Sequence, residues 1–441
     1  MSNQKQEVLN ALSKVIDPDL NRDIVSLGFI KDLKIEEGKV DFVLELTTPA
    51  CPLKASFQKQ CEDALNALSW VKDVNLTMSS RQQRAAADPK GKKGLAKVSH
   101  VIGVSSCKGG VGKSTIAVNL AFTLSRMGAK VGLLDADIYG PSLPTLIKIE
   151  NTSLMVIDGL IQPIEYQGVK LMSFGYAQSE AKAAIMRGPM VSGVISQLAT
   201  ETDWGELDYL VVDMPPGTGD IQLTLTQQLP FVGALIVTTP QKLSFVDVVK
   251  GIQMFEAVQV PTLGVIENMS YFVCDNCDKR HTPFGEGALA RLTEQYGLEN
   301  TFKLPLLPEI SAFCDEGRPA VLIQPDSELT KSYSEIAEIT VREVSKIENG
   351  GIKPPKVEYQ KDKGIVVTEA NQIARFIDPA DLRRRCTCAA CKDEHTGEAI
   401  LKPEQVPDDV FPTSINKMGN YAVAITWSDG HDSSIYPYNT L

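Results

Sequence analysis

Residues 105–115 read SSCKGGVGKST, a run whose residue types suit the binding of phosphate. Gly109, Gly110 and Gly112 would let backbone N–H groups close on phosphate oxygens, with Val111 between them. Lys113 would reach the β- and γ-phosphates, and Ser114 would ligate Mg²⁺, with Thr115 opening the helix behind them. The spacing follows G-x-x-x-x-G-K-[ST] with one departure: Cys107 stands where the first glycine belongs. A cysteine serves there only if the backbone keeps a negative φ, because a Cβ is penalised on the left-handed side. Lys108 is a second lysine inside the loop, beyond what the phosphate pattern asks for.

Acidic residues follow in two places. LLDADIYGPS carries Asp135 and Asp137, and YLVVDMPPGTGD carries Asp213, each after an apolar run. Sheets of this kind bind ligands at the carboxyl ends of their strands. One such aspartate is ordinarily a cap or turn residue; three beside a phosphate loop make a nucleotide-hydrolysis site, with Asp213 holding Mg²⁺ through water.

Two cysteine groups carry other chemistry. VCDNCDKRH spaces Cys274 and Cys277 as C-x₂-C, compatible with redox work, zinc or an iron–sulfur cluster. A redox pair expects a thioredoxin-like setting, which is lacking, and zinc needs two more ligands where His281 supplies one nitrogen. Two thiolates from each of two chains would complete a Cys₄ set for a bridging [4Fe–4S] cluster. Further on, CTCAAC provides Cys386, Cys388 and Cys391, and WSDGHDS provides His431. Three thiolates and one imidazole suit closed tetrahedral zinc; a second iron–sulfur site is the alternative.

These residues need a frame. HVIGVSS, KVGLLDAD, VKLMSFG, DYLVVDMP, GALIVTTP and TLGVIENM lack period-2 alternation and are rich in Val, Ile and Leu, as parallel strands covered on both faces are. TIAVNLAFTLSRMG and SFVDVVKGIQMFEAV read as helices between them. The expected fold at 98–348 is α/β, a doubly wound, mostly parallel sheet. Residues 1–80 read as a small α+β domain, 81–97 as a basic linker, 349–355 as a second linker, and 356–441 as a small β-rich domain with its own metal. Such a small domain with few large apolar residues gains from a zinc staple.

Bulk properties narrow the partners. At 441 residues, 43% of them hydrophobic, the chain can bury several cores. A net charge of −11 gives no support for nucleic-acid binding, and no apolar run approaches a membrane span. The opening MSNQKQEVLNAL has neither signal- nor transit-peptide layout, so the expected location is cytoplasmic. Nine cysteines, mostly clustered, fit metal binding in a reducing compartment better than a disulfide framework.

CKGGVGKST, DADIYGPS, DMPPGTGD and ENMSYFVCDNC together resemble the Mrp/ApbC branch of the deviant P-loop (MinD/ParA-like) ATPases. The resemblance covers essentially the whole central block. It implies that Lys108 crosses a dimer interface to the partner's nucleotide, and hence a homodimer with ATP between protomers. It implies that Asp137 is the switch I aspartate orienting the attacking water, Asp213 the Walker B aspartate and Asn268 an adenine contact. It also implies a labile cluster at Cys274 and Cys277. IDPDLNRDIVSLGFI and LTTPACPLK resemble the small domain shared with cytosolic iron–sulfur assembly factors; there Cys51 is either a half-buried thiol or a relay for iron or sulfide. The last block resembles the zinc-binding N-terminal domain of γ-butyrobetaine hydroxylase. The three-block order resembles the chloroplast iron–sulfur scaffold of the Mrp/ApbC family and its bacterial relatives.

The expected function is therefore a slow ATPase that carries a [4Fe–4S] cluster to apo-proteins, without nucleic-acid or membrane partners. The rival is a positioning or partitioning ATPase of the MinD/ParA type, which would want a C-terminal amphipathic helix or a basic surface. The acidic charge and the ending SSIYPYNTL offer neither. A third reading, a metal-binding regulator with structural ATP, sits poorly with Lys113 and Asp137.

Overall fold

The computed structural model describes residues 2–80, 93–150, 154–176, 188–349, 354–369, 372–388, 390–392 and 398–441. Most of the expected basic linker (81–92) and the centre of the second linker (350–353) lie outside the described residues. Two compact units are present, Met1–Gly233 with Leu307–Gly351 and Ala234–Leu306 with Ile352–Leu441.

The first unit opens with α1 (Ser2–Leu12), β1 (Ile30–Glu36), β2 (Lys39–Leu46), α2 (Lys54–Asn66) and β3 (Asp73–Ser80). β2 buries alternate residues, so Val40, Phe42, Leu44 and Leu46 join Phe57, Cys61 and Leu65 of α2 in one core. β2 pairs antiparallel with β1 and parallel with β3, α2 being the crossover.

The chain continues through β4 (Val98–Ser106), α3 (Lys113–Arg126), β5 (Val131–Asp135), β6 (Ile164–Tyr166), β7 (Val169–Ser173), α4 (Gly188–Thr200), β8 (Leu207–Asp213) and α5 (Asp220–Gln228). These strands lie in the order β6-β7-β5-β8-β4, parallel throughout except β6. β4, β5 and β8 are buried along almost their whole length, the reason their sequences show no alternation. Register brings their carboxyl ends level: Ser173 faces Asp135, Asp135 faces Asp213, and Asp213 faces Val104.

The second unit carries most of β9 (Phe231–Thr238), then α6 (Lys242–Ala257), β10 (Thr262–Val273), β11 (Arg280–His281), α7 (Ala288–Tyr296) and β12 (Thr301–Pro305). β10 runs parallel with β9 and β12 and turns back into β11 as a hairpin. It is longer than its sequence pattern suggests. At Met269 the backbone adopts φ 54° and the register against β12 shifts between Glu267 and Tyr271. This bulge lets one strand continue past ENM to the residue before Cys274.

The chain re-enters the first unit with α8 (Pro308–Glu316), α9 (Ala320–Ile323) and α10 (Glu328–Glu348). Ser327 caps α10 by accepting the Thr330 N–H, and Leu329, Tyr333, Ile336, Ala337, Val341 and Val344 form its buried stripe. The remaining chain, again in the second unit, forms β13 (Lys356–Gln360), β14 (Gly364–Thr368), β15 (Ala374–Ile377), α11 (Pro379–Arg384), β16 (Pro412–Met418), β17 (Ala422–Trp427) and β18 (Ser434–Pro437). Its strands make two three-stranded antiparallel sheets. No helix among the described residues is long and apolar enough to cross a membrane.

Candidate functional site

The loop after β4 leads straight into α3, whose N-cap is Gly112 at φ 85°. Gly110 also sits at positive φ, 77°, so two of the three loop glycines occupy the region that a Cβ disfavours. Cys107 is not among the positive-φ residues, which explains why a cysteine is accepted at that position. Cys107 and Lys108 are half-buried, while Gly109 and Gly110 are exposed. Ser106 Oγ donates to the Lys108 carbonyl (2.8 Å) and the Gly217 N–H donates to the Ser106 carbonyl (2.8 Å), tying this loop to the turn after β8.

Lys113 is buried, and its Nζ donates to Asp213 Oδ1 and lies 3.5 Å from Ser114 Oγ. Asp135 is buried beside them. Its Oδ1 accepts the Asp137 N–H (3.1 Å); its Oδ2 accepts the Leu143 N–H (3.1 Å) and the Ser173 hydroxyl (3.0 Å). Burial and then the charge of Asp213 push the Asp135 carboxyl up to about 7. Burial also raises Asp213, against the opposing pull of Lys113. Asp137 stands two residues beyond the strand, half-buried, its Oδ1 accepting the Gly140 N–H at 3.3 Å. The structure thus brings Lys113, Ser114, Asp135, Asp137 and Asp213 to one end of one sheet.

Asn268, Cys274 and Cys277 belong to the second unit. Asn268 is half-buried and its Oδ1 accepts the Met269 N–H (3.0 Å), which holds the bulge. Cys274 and Cys277 occupy the turn between β10 and β11, Cys277 exposed and Cys274 half-buried. The turn is closed by the Cys274 N–H to the Lys279 carbonyl (3.0 Å) and the Asp278 N–H to the Cys274 carbonyl (2.9 Å). His281 stacks on Phe272 (centroids 5.0 Å), and the Arg280 guanidinium lies 3.3 Å over the Tyr271 ring. Hydrogen bonds from the Asn276 amide, then from Cys277, pull the Cys274 thiol below its ordinary value.

Cys386, Cys388, Cys391 and His431 converge, their four ligand atoms all within 4.8 Å of one another. His431 Nε2 lies 3.5, 3.3 and 3.7 Å from the three sulfurs in turn. A tetrahedral zinc with bonds of about 2.3 Å to sulfur and 2.0 Å to nitrogen sets that edge at roughly 3.5 Å, so the residues fit the ion. It is the only such group of three or more His, Cys, Asp or Glu among the described residues, so Cys274 and Cys277 have no third ligand of that kind within reach. Hydrogen bonding from Cys386, then from Ser433 and the Ala390 amide, pulls Cys388 down to about 4, while Cys386 and Cys391 are pushed up.

The sequence matches known families over nearly its whole length. Residues 97–341 match the family described as NUBPL iron-transfer P-loop NTPase. The chain belongs to that family. Residues 5–77 of this iron-transfer P-loop NTPase match the iron-sulfur cluster assembly protein family, and residues 358–441 the N-terminal domain of the gamma-butyrobetaine hydroxylase-like family. It is 50% identical over 443 residues to the Fe-S cluster assembly factor HCF101, chloroplastic, of Oryza sativa subsp. japonica, covering 99% of this chain and 82% of that protein. It is 41% identical over 345 residues to the iron-sulfur cluster carrier protein of a Synechocystis strain, covering 77% and 97%. Among solved structures, a nucleotide-binding protein in complex with ADP from Archaeoglobus fulgidus is 39% identical at a TM-score of 0.47, covering 53% of this chain and 93% of that one.

Several residues around these sites were not legible in the motifs. Ser173 and Leu143 hold Asp135, yet both lie outside the acidic motif's own positions. Gln222 reaches back from α5 to Ser105 Oγ (3.2 Å) and the Pro215 carbonyl (2.5 Å). Arg383, Ser433 and Ser434 surround the cysteine–histidine group. Only the serines had a signal, their place in the stretch just after His431.

Cys51 is half-buried and burial pushes its thiol up to about 11. Its surroundings couple the first module to α10 and to β8: Arg342 Nε of α10 donates to both oxygens of Asp19 (2.8 and 2.9 Å), and Tyr209 of β8 donates to Thr48 Oγ1 (3.0 Å).

Proposed function

We propose that this P-loop NTPase carries iron–sulfur clusters, binding and slowly hydrolysing ATP while two copies of the chain hold a [4Fe–4S] cluster as cargo between them. The observation that carries this reading is the turn bearing Cys274 and Cys277. It is exposed and offers two sulfurs, half of what a four-cysteine cluster needs. A second copy supplies the other half, and apo iron–sulfur proteins are the recipients. Support also comes from the family match at 97–341 and from the relatives named as assembly factor and carrier proteins.

In this reading residues 1–80 are the assembly-factor-like module, 98–348 the ATPase and 356–441 the zinc module. Gly109, Gly110, Val111, Gly112, Lys113, Ser114 and Thr115 cradle the phosphates, with Asn268 against the adenine. Lys113 leaves Asp213 for the β- and γ-phosphates, freeing Ser114 and Asp213 to hold Mg²⁺. Asp137 orients the attacking water, and Lys108 reaches the partner's nucleotide. Nucleotide state shifts the dimer between conformations of different cluster affinity, because ATP and ADP contact those conformations differently. Cys386, Cys388, Cys391 and His431 hold a resident zinc that would stabilise the small last domain.

Anaerobic reconstitution with iron and sulfide, read by light scattering, tests the reading. The wild type should move from monomer to dimer as it takes up the cluster, and Cys277→Ser should do neither. A monomer holding a full cluster would overturn the shared site.

A further inference from the structure

Each sulfur of the cysteine–histidine group has its own outer hydrogen-bond partner. Ser434 Oγ lies 3.3 Å from Cys386 Sγ, Ser433 Oγ donates to Cys388 Sγ (3.4 Å), and Arg383 Nη1 donates to Cys391 Sγ (3.4 Å). Ser434 is itself fixed by Trp427 Nε1, which donates to its Oγ at 3.0 Å. The two serines are neutral partners; the third is a cation.

Arg383 reaches further than the serines. Its side chain is 6% exposed, and its Nε donates to Asp429 Oδ2 at 2.9 Å. Asp429 Oδ1 in turn accepts the His431 N–H at 3.0 Å. The Arg383 carbonyl accepts the Cys386 N–H at 3.2 Å. One residue therefore fastens Cys386 through its backbone, Cys391 through one arm of its guanidinium, and His431 through Asp429. α11 presents it rigidly: Asp378 caps that helix by accepting the Asp381 N–H, and Pro379 occupies its first turn.

We infer that Arg383, acting through Asp429, is the positioning residue that makes this a closed, slowly exchanging metal site. Three thiolates and one neutral imidazole leave a divalent ion with a net charge of −1, so a buried cation donating to one sulfur lowers the cost of keeping that charge buried. Holding the His431 segment keeps the fourth ligand, which comes from 40 or more residues away in sequence, in place when the ion departs. Only a forked guanidinium serves sulfur and carboxylate at once; an ammonium makes one of the two contacts at that reach. The inferred consequence is a division of labour, with a retained ion here and exchangeable cargo at the turn of half-buried Cys274 and exposed Cys277.

The inference rests on the reading of the four residues as a metal site, and the test separates the two. Full-length protein is loaded with zinc, and release to a chromophoric chelator is timed for wild type, Arg383→Lys, Arg383→Met and Asp429→Asn. The zinc content of the wild type decides whether the site is a metal site. Release from Arg383→Met should be faster by about 10–100-fold, the usual cost of losing an outer partner. Arg383→Lys should recover only part of the retention, and cobalt-substituted variants should show altered ligand-field bands. ATP hydrolysis should stay at the wild-type rate in all of them. Should Arg383→Met fail to fold, Asp429→Asn decides alone. Release at the wild-type rate from the folded variants would overturn the inference.

Discussion

Asp135 and Asp213 end two neighbouring parallel strands in direct register, and each carboxylate is held by a different kind of donor. Loop amides and a serine hold Asp135, whereas the Lys113 ammonium holds Asp213. Lys113 balances a buried carboxylate, and in the proposed nucleotide site it would have a second duty, meeting phosphate once nucleotide arrives.

That double duty separates stability from binding. Lys113→Met leaves Asp213 buried and unpaired, at a cost of about 3–5 kcal/mol by urea unfolding without nucleotide. Adding Asp213→Asn should restore most of the stability and none of the ATP hydrolysis. Unchanged stability in the single variant would show that the pair contributes nothing.

Backbone conformation distinguishes two positions of the loop. Gly110→Ala forces a Cβ into φ 77° and should cost about 1–2 kcal/mol and weaken nucleotide binding. Cys107→Gly should leave nucleotide affinity close to wild type, because position 107 keeps a negative φ. Calorimetric titration with an ATP analogue checks both, and a large gain in Cys107→Gly would contradict the loop geometry.

Thiol chemistry should follow the three environments. In metal-free protein the thiolate fraction rises through each group's own pKa. Cys274, pulled down by local donors, should reach half its maximal alkylation rate below the ordinary thiol value of 9.0. Cys51 and Cys61, pushed up by burial to about 11 and about 12, should still be accelerating above pH 10. Mass-spectrometric mapping of iodoacetamide adducts against pH reads all three. Rapid labelling of Cys51 at neutral pH would favour the relay role over the half-buried thiol.

The pair between Arg342 and Asp19 joins the first module to α10, with Asp19 buried and Arg342 about one-third exposed. Its removal by Arg342→Ala should cost about 1–3 kcal/mol, between the values for exposed and buried pairs. Arg342→Lys should recover little, because both carboxylate oxygens are engaged by one planar fork. Chemical denaturation followed through Trp70, the tryptophan of the first module, measures it.

What the sequence made legible had local causes. The phosphate loop, the acidic strand ends and the cysteine–histidine group all announce themselves by residue types at fixed spacing. β4, β5 and β8 were readable because burial on both faces leaves unbroken apolar runs. β10 was read too short, since a bulge at Met269 hides the continuity between Asn268 and Cys274. Arg383, Ser173 and Arg342 were invisible for a different reason. Each acts through a partner brought near only by the folded chain, and a lone arginine or serine carries no pattern.

The most direct test of the carrier reading is a count of iron, acid-labile sulfide and zinc per chain after anaerobic purification. Wild type should be compared with Cys274→Ser/Cys277→Ser. Loss of iron and sulfide from the variant, with about one zinc per chain retained, is the expected result. Iron and sulfide retained by the variant would move the cluster to Cys386, Cys388 and Cys391 and contradict the assignment of both sites.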